Sequence, residues 1–280
     1  MKVSDLLPDV RENTASASRR SFLQLASLAS AAAAVPVVAF ADERRERNEH
    51  DEDQDDNRVT RGDRDILIAA EIAEALAVTT YTNIINMAPF FPKLASDDQG
   101  YLLAARQEEM SHYLLEQSVT GQPSPFTTFY YPSQMFQDAQ TTLNVLVTLE
   151  DAFIAAYLVG VRRFSNANLR VTAARIMGIE SDHRTLARVL APNIDSSVGG
   201  PIENITGIQG IAESVDPPNN NGYERTLGWS RIQQAVDALT PFVDMNAAQS
   251  AGFDTSVSYT FVPFRPTLPN PLGEFHSFRG

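Results

Sequence analysis

Two of the four histidines in this chain follow a glutamate by three residues, in the pairs Glu109/His112 and Glu180/His183. Residues three apart on an α-helix lie on one face, one turn apart, so the carboxylate and the imidazole of each pair can reach the same metal ion. Both pairs lie in long segments whose apolar residues recur at helical spacing. The pattern predicts two helices that each present a glutamate and a histidine to a helix-bundle core.

Two other helical segments each carry a single candidate glutamate, Glu74 in the first and Glu150 in the third. Each glutamate is followed seven residues later by a tyrosine, Tyr81 or Tyr157, and seven residues make two helical turns on one face. This match favours Glu74 over Glu71, which lies one turn earlier on the same helix and is the alternative. We interpret both tyrosines as core packing.

Two Glu-x-x-His helices and two single-glutamate helices can together hold two metal ions inside a four-helix bundle. The candidate metal ligands are Glu74, Glu109, His112, Glu150, Glu180 and His183. Two divalent cations would neutralise the four carboxylates, whose burial without compensation is costly. Carboxylate and imidazole ligands suit iron or manganese. Two alternatives are open: the spacing is a coincidence on solvent-facing helices, or the metals only stabilise the bundle.

The apolar periodicity predicts an all-α bundle over residues 63–192. Its four helices are expected over about 64–86, 96–121, 133–164 and 168–190. The short connection between the third and fourth helices predicts that these two are antiparallel neighbours.

Residues 193–280 are predicted to be an irregular C-terminal extension, rich in glycine, asparagine, proline and serine. Apolar residues within 228–245 predict one short helix, and alternation within 255–262 predicts one or two short strands. We expect this extension to wrap the bundle or to contact a second copy in a homo-oligomer.

The N-terminal residues 1–41 have the pattern of a twin-arginine signal peptide. The pair Arg19-Arg20 precedes an apolar stretch, and Ala39-Phe40-Ala41 fits a cleavage site between small residues. This predicts export to the periplasm or the outside of the cell, with no stable membrane insertion after cleavage; the alternative is an uncleaved membrane anchor. Residues 42–62 are mostly charged and are predicted to form a disordered linker.

Composition excludes several classes of function. The net charge of −13 argues against a nucleic-acid partner. The chain has no cysteine, so disulfides, iron–sulfur clusters and cysteine-ligated electron-transfer sites are excluded.

The helical ligand motifs Glu109-Met110-Ser111-His112 and Glu180-Ser181-Asp182-His183 look like those of the ferritin-like superfamily. The resemblance covers about residues 64–192. The export signal and the long extension resemble the branch that includes the desiccation-related proteins of plants and bacteria. The resemblance implies a ferritin-like four-helix bundle with two iron or two manganese ions, bridged by Glu109 and Glu180, with Glu74 and Glu150 as terminal ligands.

The resemblance also implies a function. Proteins of this superfamily include iron-storage ferroxidases, peroxide-reducing rubrerythrins, manganese catalases and oxygenases, so we expect reaction with O₂ or peroxide in stress protection. The absence of cysteine departs from the full rubrerythrin pattern. The alternative is a non-enzymatic desiccation or stress-related envelope protein with a structural or vestigial metal site.

Overall fold

A computed structural model of the protein describes residues 58–207, the backbone of 212–214, and residues 225–267. The predicted signal peptide, most of the predicted linker and residues 268–280 lie outside the described residues. Four long helices form the body of the structure: α1 (Arg61–Met87), α2 (Ser96–Thr120), α3 (Ala139–Arg163) and α4 (Ala167–Leu190). The predicted all-α four-helix bundle is confirmed.

Local hydrogen bonds explain where these helices begin and end. Thr60 and Asp63 form a reciprocal capping box at the start of α1. At the start of α4 the Asn166 side chain accepts a hydrogen bond from the Leu169 amide at 3.0 Å. Helix α2 ends at Thr120 and is followed by Gly121, whose φ of 74° lies in the left-handed region that glycine adopts without steric cost.

The predicted start of the third helix at residue 133 was wrong, because α3 begins at Ala139. Gln134 adopts a left-handed φ of 66°, which cannot belong to a right-handed helix. The Asp138 side chain then accepts a hydrogen bond from the Thr141 amide at 2.8 Å and caps α3. A turn therefore occupies the residues that the periodicity had assigned to the first part of the helix.

The bundle consists of two helical hairpins, α1–α2 and α3–α4, whose members make the most extensive helix contacts in the described structure. Residues 164–166 connect α3 to α4, so these helices are antiparallel neighbours as predicted. The interior is apolar and includes the fully buried side chains of Leu76, Ile84, Leu102, Met110, Leu143 and Leu149. Among the described helices, only α3 is long and apolar enough to span a membrane. Of the apolar 18-residue stretch that meets this criterion, 72% is buried inside the protein.

The C-terminal extension contains two further helices, α5 (Ile232–Val243) and α6 (Met245–Ser250). Strand β1 (Thr128–Pro132), between α2 and α3, pairs antiparallel with β4 (Phe253–Thr260), and β2 (Asn204–Thr206) pairs antiparallel with β3 (Ala212–Ser214). Short 3₁₀ segments lie at Phe91–Lys93, Ala191–Asn193 and Ser196–Val198. The short helix and strand that the sequence predicts in the extension are present.

Aromatic contacts hold the extension against the bundle. The hydroxyl of Tyr131, on β1, lies 3.0 Å from Thr80 Oγ1 on α1. The ring of Tyr131 packs edge-on against Phe242 of α5 and Tyr259 of β4, with centroid separations of 5.9 Å and 5.3 Å. The extension therefore wraps the bundle, and the predicted contact with a second copy stays a prediction.

Candidate metal centre

The six candidate ligands meet in the interior of the bundle, contributed by all four helices. They form two overlapping groups, and within each group the potential ligand atoms lie within 4.8 Å of one another. One group contains Glu74, Glu109, His112 and Glu180, and the other contains Glu109, Glu150, Glu180 and His183. Glu109 and Glu180 belong to both groups, so the arrangement could hold metal ions that share these two carboxylates.

The two oxygens of the Glu109 carboxylate face different histidines. Its Oε2 lies 3.3 Å from His112 Nδ1, and its Oε1 lies 3.0 Å from His183 Nδ1. The two oxygens of the Glu180 carboxylate also face different histidines: Oε1 lies 3.2 Å from His112 Nδ1, and Oε2 lies 3.4 Å from His183 Nδ1. Each of these two glutamates thus presents one oxygen to each half of the centre.

Glu74 and Glu150 lie at opposite ends of the centre. Glu74 Oε2 is 3.5 Å from His112 Nδ1, whereas Glu150 belongs to the group of His183. Glu71 is also buried, but it is outside both groups and accepts a hydrogen bond from Thr120 Oγ1 at 3.1 Å. The structure therefore places Glu74, and not Glu71, among the other candidate ligands.

The centre is removed from water and carries polar atoms without partners. Glu109, Glu150 and Glu180 have no exposed surface, and Glu74 and His183 are at most 3% exposed. Among the described residues, the buried atoms that make no hydrogen bond include Glu74 Oε2, Glu109 Oε1, Glu150 Oε2, both carboxylate oxygens of Glu180 and His183 Nδ1. Several of these oxygen atoms lie within 3.5 Å of a histidine nitrogen but make no hydrogen bond to it. Buried oxygen and imidazole nitrogen atoms without partners, converging on one point, fit the donor set of iron or manganese.

Electrostatics inside the centre agree with a site that needs cations. Burial, followed by repulsion from Glu109, raises the pKa values of both Glu74 and Glu150 well above the usual range. Burial alone would lower the pKa of His112, but the nearby carboxylates raise it well above its usual value, and the same holds for His183. Without metal, protons must therefore supply the positive charge that the four carboxylates require.

The stability of the metal-free protein should depend on pH. A carboxyl group or a histidine whose pKa is raised in the folded state loses its contribution to stability as the pH rises toward that pKa. We therefore expect the free energy of unfolding of the metal-free protein to fall from about pH 5 to about pH 8. Glu109, whose pKa is lowered, is ionised in both states over this range and does not oppose the trend.

The metal-loaded protein should show the opposite trend, because protons compete with metal for the ligands. Urea unfolding at several pH values, with and without a chelator, measures both trends. Parallel pH dependences in the two forms would show that these groups do not hold metal.

Two tyrosines connect the hairpins through the centre. Tyr81 on α1 donates a hydrogen bond to Glu150 Oε1 on α3 at 2.7 Å, and Tyr157 on α3 hydrogen-bonds Glu74 Oε1 on α1. Each tyrosine therefore contacts the glutamate of the opposite hairpin rather than that of its own helix. The sequence predicts core packing for both tyrosines; the structure shows them buried and also hydrogen-bonded to candidate ligands.

Two further glutamates border the centre. Glu108 lacks the three-residue spacing that relates Glu109 to His112, but its Oε2 lies 2.9 Å from His183 Nε2. Because Glu108 contacts Nε2, Nδ1 of His183 faces the shared glutamates Glu109 and Glu180. A metal-bound histidine is commonly oriented in this way, by a carboxylate that contacts its other ring nitrogen. Glu116, one turn beyond His112, lies 2.8 Å from the Tyr157 hydroxyl. Only the packing of different helices, which spacing along one helix cannot show, brings these groups into contact.

Comparison with known proteins gives one match. Residues 62–192 match the ferritin-like domain family, and these residues include all six candidate ligands and helices α1 to α4 except Arg61, the first residue of α1. No curated protein and no solved structure matches the chain significantly. The matched segment, its four-helix architecture and its buried carboxylate and histidine groups agree with one another, and residues 62–192 therefore belong to the ferritin-like family.

Proposed function

We propose that this protein binds two ions of iron or manganese in the ferritin-like domain and reacts with O₂ or peroxide in protection against stress. One observation supports this proposal best: Glu109 and Glu180 each present one carboxylate oxygen to His112 and the other to His183. Glu109 and Glu180 would thus be ligands shared by the two halves of the centre if metal ions were bound there.

Two tyrosines hold the other two candidate glutamate ligands, Glu74 and Glu150, in position. Hydrogen bonds from Tyr157 and Tyr81 engage Oε1 of Glu74 and of Glu150, and Oε2 of each glutamate is left for metal. A hydroxyl donates only one hydrogen bond, so Tyr157, which touches both Glu74 and Glu116, must accept a hydrogen bond from the protonated carboxyl group of one of them. These residues can thus orient the terminal ligands and keep a proton beside the centre. When bound, iron or manganese would supply the electrons that reduce an O–O bond.

The first test is metal content. We expect elemental analysis of protein purified from its own compartment to give about two iron or manganese ions per chain. Replacing both His112 and His183 with alanine should reduce that content to near zero, because each group then loses its imidazole. Replacing Asn83, a half-buried residue of α1 outside both groups, should leave the content unchanged. Full metal content in the double variant would contradict the assigned ligands.

A second candidate function is a non-enzymatic stress protein with a structural metal site. The near-complete burial of Glu109, Glu150 and Glu180 favours it, since a closed site excludes reactants as well as water. Stopped-flow absorbance after mixing the reduced, metal-loaded protein with peroxide separates the two functions. A spectral change faster than that of the free ions supports the redox function, and an inert spectrum supports the structural one.

We also propose export by the twin-arginine route, followed by cleavage after Ala41. That route carries folded proteins, so the metals would be loaded before export. Replacing Arg19 and Arg20 with lysine should trap the precursor in the cytoplasm, because the paired arginines are the signal that the route reads. Immunoblots of cell fractions measure this, and N-terminal sequencing of the exported form should begin at Asp42. Unchanged export of the variant would contradict this prediction.

A further inference from the structure

A pocket of about 410 Å³ lies beside the candidate metal centre, between the bundle and helix α5. Its walls are mostly apolar side chains, among them Leu67, Phe153, Ile176, Ile232 and Val236. Pockets of this size accommodate small organic molecules. None of the six candidate metal ligands lines it, so it is a separate site.

Three buried polar side chains of the bundle line this pocket: Glu116, Tyr157 and Thr172, whose Oγ1 also lacks a hydrogen-bond partner among the described residues. Glu116 is 1% exposed, and its Oε1 lies 2.8 Å from the Tyr157 hydroxyl. Its other oxygen, Oε2, is buried and has no hydrogen-bond partner among the described residues. A buried carboxyl oxygen without a partner is costly, and a ligand in the pocket that carries a hydrogen-bonding group would satisfy it.

The charges of the pocket restrict the ligand. Asp65, Asp237 and Asp244 also line it and are partly or fully exposed, which places them toward solvent. No lysine, arginine or histidine is among its described lining residues. An anionic molecule such as a fatty acid or a phosphate would be repelled by these carboxylates and would find no cation to pair with.

We infer that the pocket binds an apolar molecule whose single head group donates a hydrogen bond and is not anionic, such as an alcohol or an amine. The head group lies at Glu116 Oε2 and the apolar part lies along the walls. Tyr157 links this site to the metal centre, because the same hydroxyl contacts Glu116 in the pocket and Glu74 in the centre. Binding itself requires no metal and no turnover.

Isothermal titration calorimetry of the full chain, as purified, tests the inference with 1-octanol, octanoate and octylamine as probes. We expect saturable binding of octanol and of octylamine, and at least about tenfold weaker binding of octanoate, because the carboxylate meets an acidic pocket. Binding of octanoate as tight as that of octanol, or octanol uptake that does not saturate, would overturn the inference.

Two variants locate the ligand. Glu116→Leu should weaken octanol binding about tenfold, the usual effect of losing one hydrogen bond. Glu71→Leu is the matched control: Glu71 is also a buried glutamate with an oxygen that lacks a partner, but it does not line the pocket. Equal effects of both variants would overturn the placement of the hydroxyl.

The second variant, Ala156→Phe, should abolish octanol binding by filling the pocket, whereas Leu158→Phe adds bulk on the exposed side of the same helix and should not. Circular dichroism shows whether each variant folds. Octanol binding by a folded Ala156→Phe variant would overturn the assigned pocket. Because calorimetry measures binding, octanol binding by a protein inert to peroxide would contradict only the proposed redox function, and redox activity without octanol binding would contradict only this inference.

Discussion

Replacing Glu180 with alanine should lower the rate of reaction of the metal-loaded protein with peroxide by more than about a hundredfold. Glu180 Oε1 faces His112 and its Oε2 faces His183, so its loss disturbs both halves of the centre. Glu150 belongs to only one group, and its replacement should leave a larger residual rate and about one metal ion per chain. Stopped-flow absorbance and elemental analysis of the same preparations measure both effects.

Glu71→Ala supplies the control for this comparison, because it also removes a buried glutamate from the bundle but touches neither group. Its rate should stay within about threefold of the wild-type rate. If the Glu150 and Glu180 variants lost the same amount of metal and rate, the distinction between terminal and shared ligands would be wrong.

The helical part of the site could be predicted from the sequence because its signal is local. The spacing of Glu109 and His112, and that of Glu180 and His183, depends only on the period of one α-helix. The apolar periodicity of the two helices predicts that both pairs face the core, because a helix buries its apolar face. The choice of Glu74 over Glu71 followed from the tyrosine two turns later, and the structure places Glu74 in the cluster.

The spacing suggested that each tyrosine lies beside the glutamate of its own helix, but the structure shows a different arrangement. Tyr81 serves Glu150 and Tyr157 serves Glu74, so the repeated spacing reflects an exchange between two packed hairpins. The contact of Glu108 with His183 joins residues 75 positions apart, and nothing in the spacing along α2 indicates it. Contacts between helices depend on packing, which periodicity does not specify.

The same limit explains the error at the start of α3. Apolar residues and a serine at 133 matched a helix start, but Gln134 takes a left-handed conformation and strand β1 ends beside it. Strand β1 exists because β4, more than a hundred residues later, pairs with it. The pocket has the same origin, since α5 of the extension forms one of its walls.

Glu150→Gln should change stability in opposite directions in the two metal states. The substituted side chain keeps an oxygen that can accept the hydrogen bond of Tyr81, so packing is preserved while one negative charge is removed. In the metal-free protein the variant should be more stable than the wild type, because burial and repulsion from Glu109 already disfavour the ionised form of Glu150.

In the metal-loaded protein the order should reverse, because the amide is a weaker ligand and the metal stabilises the folded state less. A site held at a thousand times its dissociation constant contributes about 4 kcal/mol, so a chelator should lower the melting temperature of the wild type by roughly 10 °C or more. The same treatment should lower that of the variant much less. Thermal unfolding followed by circular dichroism, with and without chelator, gives all four values. A substitution that shifts both metal states in the same direction would mean that Glu150 is a structural residue of the bundle, because only a metal ligand converts a destabilising buried charge into a stabilising one.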